Sequence, residues 1–584
     1  MSAVEQLITD NLDVWASAVK TKSSVGRGSS KKLDLYGIRK LRELILELAV
    51  SGLLVTQDDR EEPASVLIEK ISCERQRLTD EGSLKTKAKD GIADIEMYIS
   101  KQKGWGYLRL GNLAKFIDYR GKTPKKITEG VPLITAKNIK SGYISREPAE
   151  FISEEDYVEW MTRGFPKVND VLFTTEAPLG NVALIDIHER FALAQRSICF
   201  QLHEPLVAPF LVYLIMSNTF QAQLKDNATG MTASGIKASK LKEIPIPLPP
   251  LGEQHRIVAK VNELMALCDQ LEQQQENSIS AHQTLVENLL AALTNAGEKG
   301  EFNQAWARIA EHFDTLFTTE HSIDQLKQTI LQLAVMGKLV PQDPNDESAS
   351  VLLEKIAAEK AQLVKDKKIK KQKALPEIGE DEKPFELPEG WEWRRIAEFG
   401  VVGTGATPSR TNTEYFQPAD VNWVTSGETG SDFVFETKEK VSYKAIAETN
   451  VSIYPEGTLV IAMYGQGKTR GQITELMVPA GTNQACAAIQ LIQESEAHRK
   501  YTKLYFQKAY DELRSLSAGG AQPNLNVGKI SLTVLPIPPH EEQKRIVDKV
   551  GELMALCDSL KNCISESQTT QLHLADAMAE QALN

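Results

Sequence analysis

The sequence predicts an α+β protein in which two compact α/β domains are joined by long helices, and three observations lead to this prediction. Residues 41–71 return as residues 326–356, with 19 of 31 positions identical. A second, proline-led segment also occurs twice. Between these repeats, residues 105–250 and 391–539 contain short β-rich runs separated by Gly, Pro, Asn and Thr, and the two stretches differ from each other. The chain is therefore a tandem duplication with a helical frame and two variable domains.

The repeats divide the chain into five parts. They are an N-terminal helical region (1–104), a first variable domain (105–250), a central helical region (251–390), a second variable domain (391–539) and a C-terminal helical region (540–584). Each variable domain opens at a tryptophan, Trp105 or Trp391, and passes through a Gly-x-Thr-Pro motif at 121–124 or 405–408. The two domains share these motifs but differ in the sequence between them. This predicts two related domains that bind different ligands.

The longer repeat has helical periodicity. Leu41, Ile45 and Leu48 form an apolar stripe on one helical face. Gly52 and Gly337, at matching places in the two copies, are natural helix stops because glycine adopts the left-handed backbone conformation easily.

The shorter repeat, residues 247–271 and 536–560, has the spacing of a coiled-coil seam. Its apolar residues step by 4, 3, 4 and 3 in both copies. They are Ile257, Val261, Leu264, Cys268, Leu271, Ile546, Val550, Leu553, Cys557 and Leu560. Pro250 and Pro539 end the preceding strand-like runs, so each helix is expected to begin just after them. Cysteines on the seam are expected to be small core residues rather than reactive thiols.

Composition excludes several classes of protein. The chain has 584 residues, a net charge of −12 and six cysteines, none in a Cys-x-x-Cys pair. A disulfide scaffold or structural zinc site is therefore not expected. The N-terminus lacks the layout of a secretion signal, and no apolar run reaches the ~18 residues of a membrane span. We therefore expect a cytoplasmic protein.

The acidity lies outside the variable domains. Residues 105–250 carry 17 basic and 15 acidic side chains, and residues 391–539 carry 14 and 15. A basic face on each domain is therefore possible. The segment 359–373 is strongly basic and compatible with a helix, either as a solvated helix face or as a surface that contacts phosphates.

Two short stretches of the second variable domain approach known catalytic motifs. The stretch LVIAMYGQGKTRG (459–471) approaches a phosphate-binding loop, but Ala462 takes the place of its first glycine and no acidic magnesium partner is evident. Asp432, Glu436 and Lys438 faintly resemble a nuclease metal site, without a counterpart in the first variable domain. The sequence therefore predicts a non-catalytic chain that itself binds no cofactor and no metal.

Nucleic-acid recognition is favoured by polar and basic residues that cluster at matching places in both variable domains. Lys and Arg neutralise phosphates, and Asn, Gln and Arg can bind base edges. The candidates in the first domain are Arg120, Lys122, Thr123, Lys125, Lys126, Thr135, Lys137, Asn138, Lys140, Asn181, Lys237 and Lys240. Those in the second are Thr407, Ser409, Arg410, Asn412, Ser426, Gln466, Lys468, Arg470, Gln522, Asn524, Asn526 and Lys529. The alternative is a scaffold whose two variable domains bind proteins.

The arrangement resembles the DNA-specificity subunit of type I restriction–modification systems. Three features carry the resemblance. They are the paired segments that end the variable domains, PLPPLGEQHRIVAKVNELM and PIPPHEEQKRIVDKVGELM, the paired segments LAVSGLLV and LAVMGKLV of the longer repeat, and the Gly-x-Thr-Pro motifs. It covers almost the whole chain, and the long N-terminal helical region is similar to the longer-armed members of the family. The resemblance implies two target-recognition domains, joined by an antiparallel coiled coil with a pseudo-twofold axis.

The resemblance also implies a function and partners. Each variable domain would read one half of a split sequence in double-stranded DNA, and the helices would set the spacer length. Two modification subunits carrying S-adenosylmethionine would methylate adenines. Two restriction subunits, translocase–nucleases that use ATP and magnesium, would join for cleavage. The present chain would then serve DNA methylation and phage defence without catalysing a reaction.

Overall fold

The computed structural model describes residues 3–21, 33–84, 91–99, 102–119, 124–229, 235–465, 468–493, 495–515 and 525–583. The predicted mixture of helices and sheets, with two domains and long helices, is confirmed. The chain forms two compact units: unit 1 holds the described residues up to Ile279 and those from Ser567 onward, and unit 2 holds Ser280–Glu566. Each unit contains one variable domain and part of the helical frame.

The frame of unit 1 is built from short helices and the ends of the two longest ones. Its shorter elements are the helices Ala3–Thr9, Leu12–Ser17, Tyr36–Val50 and Ala64–Asp80, the turn Asp94–Glu96, and the strand pair Lys20–Thr21 with Leu33–Asp34. The long helices are Leu251–Asn295, of 45 residues, and His540–Leu583, of 44 residues. In unit 1, Leu41 and Ile45 share a core with Ile257 and Ala575. The start of the first long helix therefore joins the same core as the end of the second.

Unit 2 repeats this frame. Its helices are Lys299–Glu311, Phe313–Leu316, Glu320–Val335, Ala349–Lys365 and the turn Glu380–Glu382, beside residues 280–295 and 540–566 of the long helices. Val286, Leu290 and Ile330 share a core with Ile546 and Val550. Here the end of the first long helix joins the start of the second, which is the pairing expected of antiparallel helices.

The predicted seam is buried at most of its positions. Ile257, Val261 and Leu264 are almost inaccessible, as are Ile546 and Val550. Cys268 and Cys557 are buried as well, so their interpretation as small core residues is confirmed. Leu271 and Leu553 are half-buried, and Leu560 is 37% exposed. The predicted burial of Leu560 was therefore wrong, although Ile564, one turn further along the helix, packs against the core of unit 2.

The first variable domain has three small sheets. In order, the four-stranded sheet contains Ala114–Asp118, Ser197–Leu202, Val171–Thr174 and Val182–Leu184, all antiparallel. The three-stranded sheet contains Phe151–Ile152, Val131–Ile134 and Ala192–Leu193, and Gly106–Arg109 pairs with the exit strand Pro245–Leu248. Its helices and turn are Leu110–Leu113, Glu154–Trp160, Pro205–Val207, Ala208–Met216, Asn218–Asp226 and Ala238–Glu243.

The second variable domain follows a similar plan. Its five-stranded sheet has the order Gly400–Thr404, Cys486–Leu491, Leu459–Ala462, Ile473–Leu476 and Phe433–Val434. A four-stranded sheet contains Glu439–Val441, Val421–Val424, Ala480–Thr482 and Ile453–Tyr454, and Glu392–Arg395 pairs with Val534–Ile537. Its helices and turns are Ile396–Phe399, Thr413–Tyr415, Ser426–Glu428, Tyr443–Glu448, Glu496–Lys508, Tyr510–Ser515 and Val527–Leu532.

One frame helix of each copy enters the core of its variable domain. Ala64, Leu67 and Ile71 of the helix Ala64–Asp80 belong to the same apolar cluster as Phe173 and Phe200. The helix Ala349–Lys365 is placed in the same way in unit 2. Frame and variable domain therefore share a core in each unit. No single helix of the described ranges is long and apolar enough to cross a membrane, although Pro205–Met216 and Asn218–Asp226, bent by 74°, reach that length and composition together.

A buried tryptophan–glutamate hydrogen bond joins each variable domain to a long helix. Trp105 donates to Glu253 at 3.0 Å, and Trp391 donates to Glu542 at 2.9 Å. Burial raises the pKa of both carboxyl groups. The predicted helix stops are also confirmed, because Gly52 and Gly337 have φ of 71° and 68°. The duplication is thus visible in single contacts as well as in the sequence.

A buried histidine predicts pH-dependent stability in unit 2. His498 is inaccessible, its Nδ1 lies 3.0 Å from Gln543 Oε1, and burial lowers its pKa to about 4. Because the folded state resists protonation, its contribution is full above the unfolded pKa of ~6.5 and is lost as pH falls towards 4. We expect this group alone to lower the free energy of unfolding by about 2 kcal/mol between pH 7.5 and pH 5.

The measurement compares chemical denaturation of the full-length protein and of His498→Gln at both pH values. The variant should lose the part of the pH dependence that belongs to this histidine. An unchanged difference between the two pH values would contradict the prediction.

Candidate nucleic-acid interface

Three loops of the first variable domain meet at one edge of its four-stranded sheet. The loop 175–181 follows the strand Val171–Thr174. Asn181 Nδ2 donates to Ile139 O at 2.8 Å, which connects this loop to the turn at 139–144. Ile236 N donates to Thr175 O at 3.0 Å, which places the segment before the helix Ala238–Glu243, the exit helix of this domain, beside the same loop. The structure therefore brings together loops that are far apart in the sequence.

Most predicted lysines of this domain are exposed. Lys125, Lys137, Lys237 and Lys240 all face solvent, and Lys140 is half-buried. Lys126 is exposed but forms an ion pair with Glu150 at 2.7 Å. These side chains have the charge and accessibility that phosphate contact requires.

Asn138 was predicted to contact a nucleic acid, but its side chain lies inside its own loop. It is 1% exposed, and its Oδ1 accepts hydrogen bonds from the backbone N–H and the hydroxyl of Thr135. Its Nδ2 donates to Ser145 O and Pro148 O, both at 3.1 Å. Asn138 therefore holds the loop in shape instead of facing a ligand. Thr135 and Asn181 are half-buried and take part in the same loop contacts.

Four loops of the second variable domain meet in the corresponding place. Thr404 Oγ1 donates to Cys486 O at 2.8 Å, at the end of the strand Gly400–Thr404. Asn483 N donates to Val424 O at 3.0 Å, and Met463 N donates to Ala485 O at 2.8 Å. The segments 405–412, 425–432, 463–465, 468–472 and 483–485 therefore form one polar surface.

Arg410 contacts two aromatic rings and a carboxylate on this surface. Its guanidinium lies 5.3 Å from the ring centre of Phe416 and 5.8 Å from that of Trp423. It also forms an ion pair with Glu439 at 2.7 Å while its side chain stays 60% exposed. Stacking and the ion pair hold the guanidinium in one orientation, as bidentate recognition of a base requires.

The remaining candidates of this surface take part in local contacts to different degrees. Thr407 is exposed and donates to Gln484, and exposed Ser409 lies 2.8 Å from the hydroxyl of Thr411. Asn412 caps a short helical turn by accepting from Glu414 N at 3.1 Å. Ser426 is half-buried. Thr407 and Ser409 are therefore the more accessible of the four.

The loop with Lys468 connects two strands. Leu459–Ala462 pairs antiparallel with Ile473–Leu476, so this stretch is a hairpin connection. A phosphate-binding loop is instead followed by a helix whose N-terminal amides face the phosphate. Lys468 is exposed and Arg470 is half-buried beside it.

The exit helices carry one matching lysine each. Lys240 lies in Ala238–Glu243 and Lys529 in Val527–Leu532, and both are exposed. Asn526 caps the second of these helices by accepting from Lys529 N at 2.8 Å, so its side chain has a structural role. Six candidates lie outside the described residues: Arg120, Lys122, Thr123, Gln466, Gln522 and Asn524.

Sequence reasoning missed two residues of the first surface. Tyr143 is 61% exposed at the tip of the turn, where Gly142 N donates to Val182 O at 2.8 Å and holds the turn against the sheet. Arg196 is exposed beside Thr175 and forms an ion pair with Glu176 at 2.7 Å. The signal for Arg196 was its place just before the strand Ser197–Leu202, where the second copy has its own surface loop.

The two carboxylates of the nuclease-like stretch are held by different cations. Asp432 lies 3.9 Å from Lys503, and Glu436 forms an ion pair with Lys440 at 3.0 Å. Within the described ranges no group of three or more His, Cys, Asp or Glu side chains could hold a metal ion.

Comparison with known proteins gives the family. The sequence model described as "Type I restriction modification DNA specificity domain" matches residues 102–281 and 388–567. The chain is 37% identical over 610 residues to the type I restriction enzyme EcoAI specificity subunit of Escherichia coli, and 36% identical over 609 residues to the EcoEI specificity subunit of the same species. Both alignments cover 100% of each chain.

Among solved structures, a chain from a type I R-M system matches with a TM-score of 0.46 and 18% identity, covering 83% of the present chain and 99% of its own length. Both halves of the duplication are matched by the family model, and the two relatives align from end to end. The chain therefore belongs to the type I restriction modification DNA specificity family.

Proposed function

We propose that this chain is the DNA sequence-recognition subunit of a type I restriction–modification complex. The observation that carries the proposal is the pair of polar surfaces, built at matching places of two variable domains but from different side chains. Family membership and the end-to-end similarity to two specificity subunits support it. Each variable domain would read one half of a bipartite target in double-stranded DNA.

The two surfaces differ in a way that suits two different half-sites. The described part of the first variable domain carries Lys125, Lys137, Lys237 and Lys240 in exposed positions. The second presents hydroxyl groups together with the stacked Arg410. Lysines give sequence-independent contacts to phosphates, whereas an oriented guanidinium can bind guanine through two hydrogen bonds. Base reading by these loops is therefore expected to differ between the domains.

The long helices would set the spacer between the half-sites. A straight helix of 45 residues has a length of about 67 Å at ~1.5 Å per residue. Major grooves on one side of the DNA recur about every 34 Å. A helical connector of this length can therefore bridge two half-sites, and its rigidity would make recognition depend strongly on the number of base pairs between them.

Partner subunits would supply the chemistry. We expect two modification subunits with S-adenosylmethionine and two restriction subunits with ATP and magnesium, assembled in the cytoplasm on the acidic helical regions. The variable domains are close to neutral, with 17 basic against 15 acidic side chains and 14 against 15. Because phosphate neutralisation dominates DNA affinity, the isolated chain should bind DNA weakly, and tight, salt-insensitive binding without partners would contradict this.

Exchanging the first variable domain tests the function. Replacing residues 105–250 with the corresponding domain of another family member should change one half of the methylated sequence and leave the other half and the spacer unchanged. The measurement is genome-wide sequencing of methylated adenines in cells that carry the modification subunits with either version of this chain.

A reciprocal exchange of residues 391–539 is the matched control and should change only the other half-site. If both exchanges left the methylated sequence unchanged but altered which proteins copurify, the protein-binding scaffold would be the better interpretation. If either exchange changed both half-sites together, independent reading by the two domains would be contradicted.

A further inference from the structure

A large groove lies on unit 2, on the side of the second variable domain away from its polar loops. It runs between the helix Ala349–Lys365 and the segment 371–378, and it has a volume of about 1150 Å³. Ala397 and Glu398, just before the strand Gly400–Thr404, line it, whereas the polar surface begins after that strand. This groove is therefore separate from the candidate DNA-binding surface.

The groove has an apolar floor and a basic rim. Apolar side chains from the helix, the facing segment and the first strand of the domain form the floor: Ala357, Ala361, Val364, Leu375, Ile378 and Trp393. Six basic side chains line it: Lys360, Lys365, Lys371, Lys373, Lys383 and Arg394. Three acidic residues also line it, and two of them, Glu392 and Glu398, form ion pairs with Arg394. The rim therefore keeps an excess of positive charge.

Several of these lysines have no carboxylate partner. Lys365, Lys371 and Lys373 are exposed, and none forms an ion pair with a residue that the structure describes. Lys360 is held differently, because its ammonium donates to Gln372 Oε1 at 2.8 Å and to Ala397 O. This contact fixes the segment 371–373 beside the helix, so the lysines at 371 and 373 are presented by an anchored segment.

Two basic positions of the rim are not basic in the first copy of the duplication. Strand register places Leu108 in the position of Arg394, since Gly106–Arg109 and Glu392–Arg395 pair with their exit strands in the same way. The last residue of the corresponding helix is Asp80 where the second copy has Lys365. The first copy has lysines at 85, 87 and 89, which lie outside the described residues, so the comparison is limited to these two positions.

We propose that this groove docks an acidic amphipathic helix of a protein partner. Such a segment would lay apolar side chains on the floor and acidic side chains along the basic rim. The groove is larger than the ~300–1000 Å³ of ordinary small-molecule sites, which favours a peptide over a metabolite. DNA is less suitable because a phosphate backbone offers nothing to cover Leu375, Ile378 and Trp393.

The test uses the full-length chain and a labelled synthetic 18-residue helix with leucine on one face and glutamate on the other. Fluorescence anisotropy should detect binding that weakens with salt. Lys371→Glu with Lys373→Glu should weaken it at least tenfold. Lys368→Glu with Lys370→Glu makes the same change in net charge on neighbouring exposed lysines that do not line the groove, and should weaken it less than twofold.

Three results would overturn the proposal. The first is no binding of the acidic peptide by the unchanged protein, or equal binding of a control peptide with lysine in place of glutamate. The second is an equal loss in both double variants, which would indicate diffuse attraction to a lysine-rich surface. The third is displacement of the peptide by random duplex DNA together with loss of DNA binding in the groove variant, which would make the segment a phosphate-binding surface.

Discussion

Replacing Gly405 by alanine is expected to destabilise the second variable domain by at least about 3 kcal/mol and to abolish recognition of one half-site. Gly405 is the glycine of the second Gly-x-Thr-Pro motif and is buried. A Cβ atom at this position would lie 1.6 Å from Thr482 O and 2.3 Å from Thr482 C. Both are backbone atoms, so no side-chain rotation can relieve the contact.

The place of Gly405 explains why the effect should reach the DNA. It follows the strand Gly400–Thr404 of the five-stranded sheet, and Thr482 ends a strand of the four-stranded sheet. The glycine is thus where two sheets approach each other, and the loop with Thr407 and Arg410 starts immediately after it. Moving the backbone far enough to admit a methyl group would displace this loop, and well-packed interiors do not yield by such distances without cost.

Gly427→Ala is the matched control. It lies in another loop of the same surface, where the nearest heavy atom to an added Cβ is Thr425 Oγ1 at 3.8 Å. This substitution should change the free energy of unfolding by less than about 0.5 kcal/mol. Chemical denaturation measures stability, and mapping of methylated adenines measures recognition. Equal stability of the Gly405 and Gly427 variants would contradict the clash.

The frame could be predicted from the sequence because its physics is local and periodic. Both long helices begin where Pro250 and Pro539 required, at Leu251 and His540. The β-rich stretches of both variable domains contain strands, as at Leu459–Ala462. Helical spacing, strand length and proline each act over a few residues, so they are visible in a single sequence.

The site could be predicted only as a region. Asparagine is a residue type that can bind a base edge. The side-chain amide of Asn138, however, is hydrogen-bonded to Thr135 and to the carbonyls of residues 145 and 148. Whether a polar side chain faces a ligand or closes its own loop depends on hydrogen bonds within the fold, and spacing does not encode them. In the sequence Arg410 is one of several polar candidates. Its contacts with Phe416 and Trp423 depend on the fold and distinguish it from the others. The same limit applies to the seam, where Leu560 keeps the periodicity but is 37% exposed.

The second large effect is expected at Arg395, which joins three segments at the base of the second variable domain. Its side chain is 3% exposed and binds Glu382 through two hydrogen bonds of 2.9 and 2.7 Å. It also donates to Pro376 O, Glu377 O and Leu532 O at 2.7 to 3.1 Å. Alanine would leave these three carbonyls without the guanidinium and break the ion pair with the partly exposed Glu382, so we expect a loss of about 3 kcal/mol.

The duplication supplies a graded comparison for this prediction. Arg109 has the same place in the first variable domain, and its side chain is 7% exposed. Among the described residues it donates to two carbonyls, Glu243 O and Gly91 O, and it pairs with the carboxylates of Glu96 and Glu243. Arg109→Ala should therefore cost about 1 kcal/mol less than Arg395→Ala. Arg395→Lys keeps the charge but cannot bridge three segments with one ammonium group, so it should recover less than half of the loss.

Thermal and chemical unfolding of the full-length variants would measure these differences. Because Leu532 ends the helix that carries Lys529, the Arg395 variants should also weaken recognition of the second half-site while leaving the first intact. A cost below about 1 kcal/mol for Arg395→Ala, or a larger cost for Arg109→Ala, would mean that the packing of the helix Ala349–Lys365 holds the base of the domain without the arginine. The order of the three variants thus separates hydrogen bonding by the guanidinium from apolar packing as the source of stability at this junction.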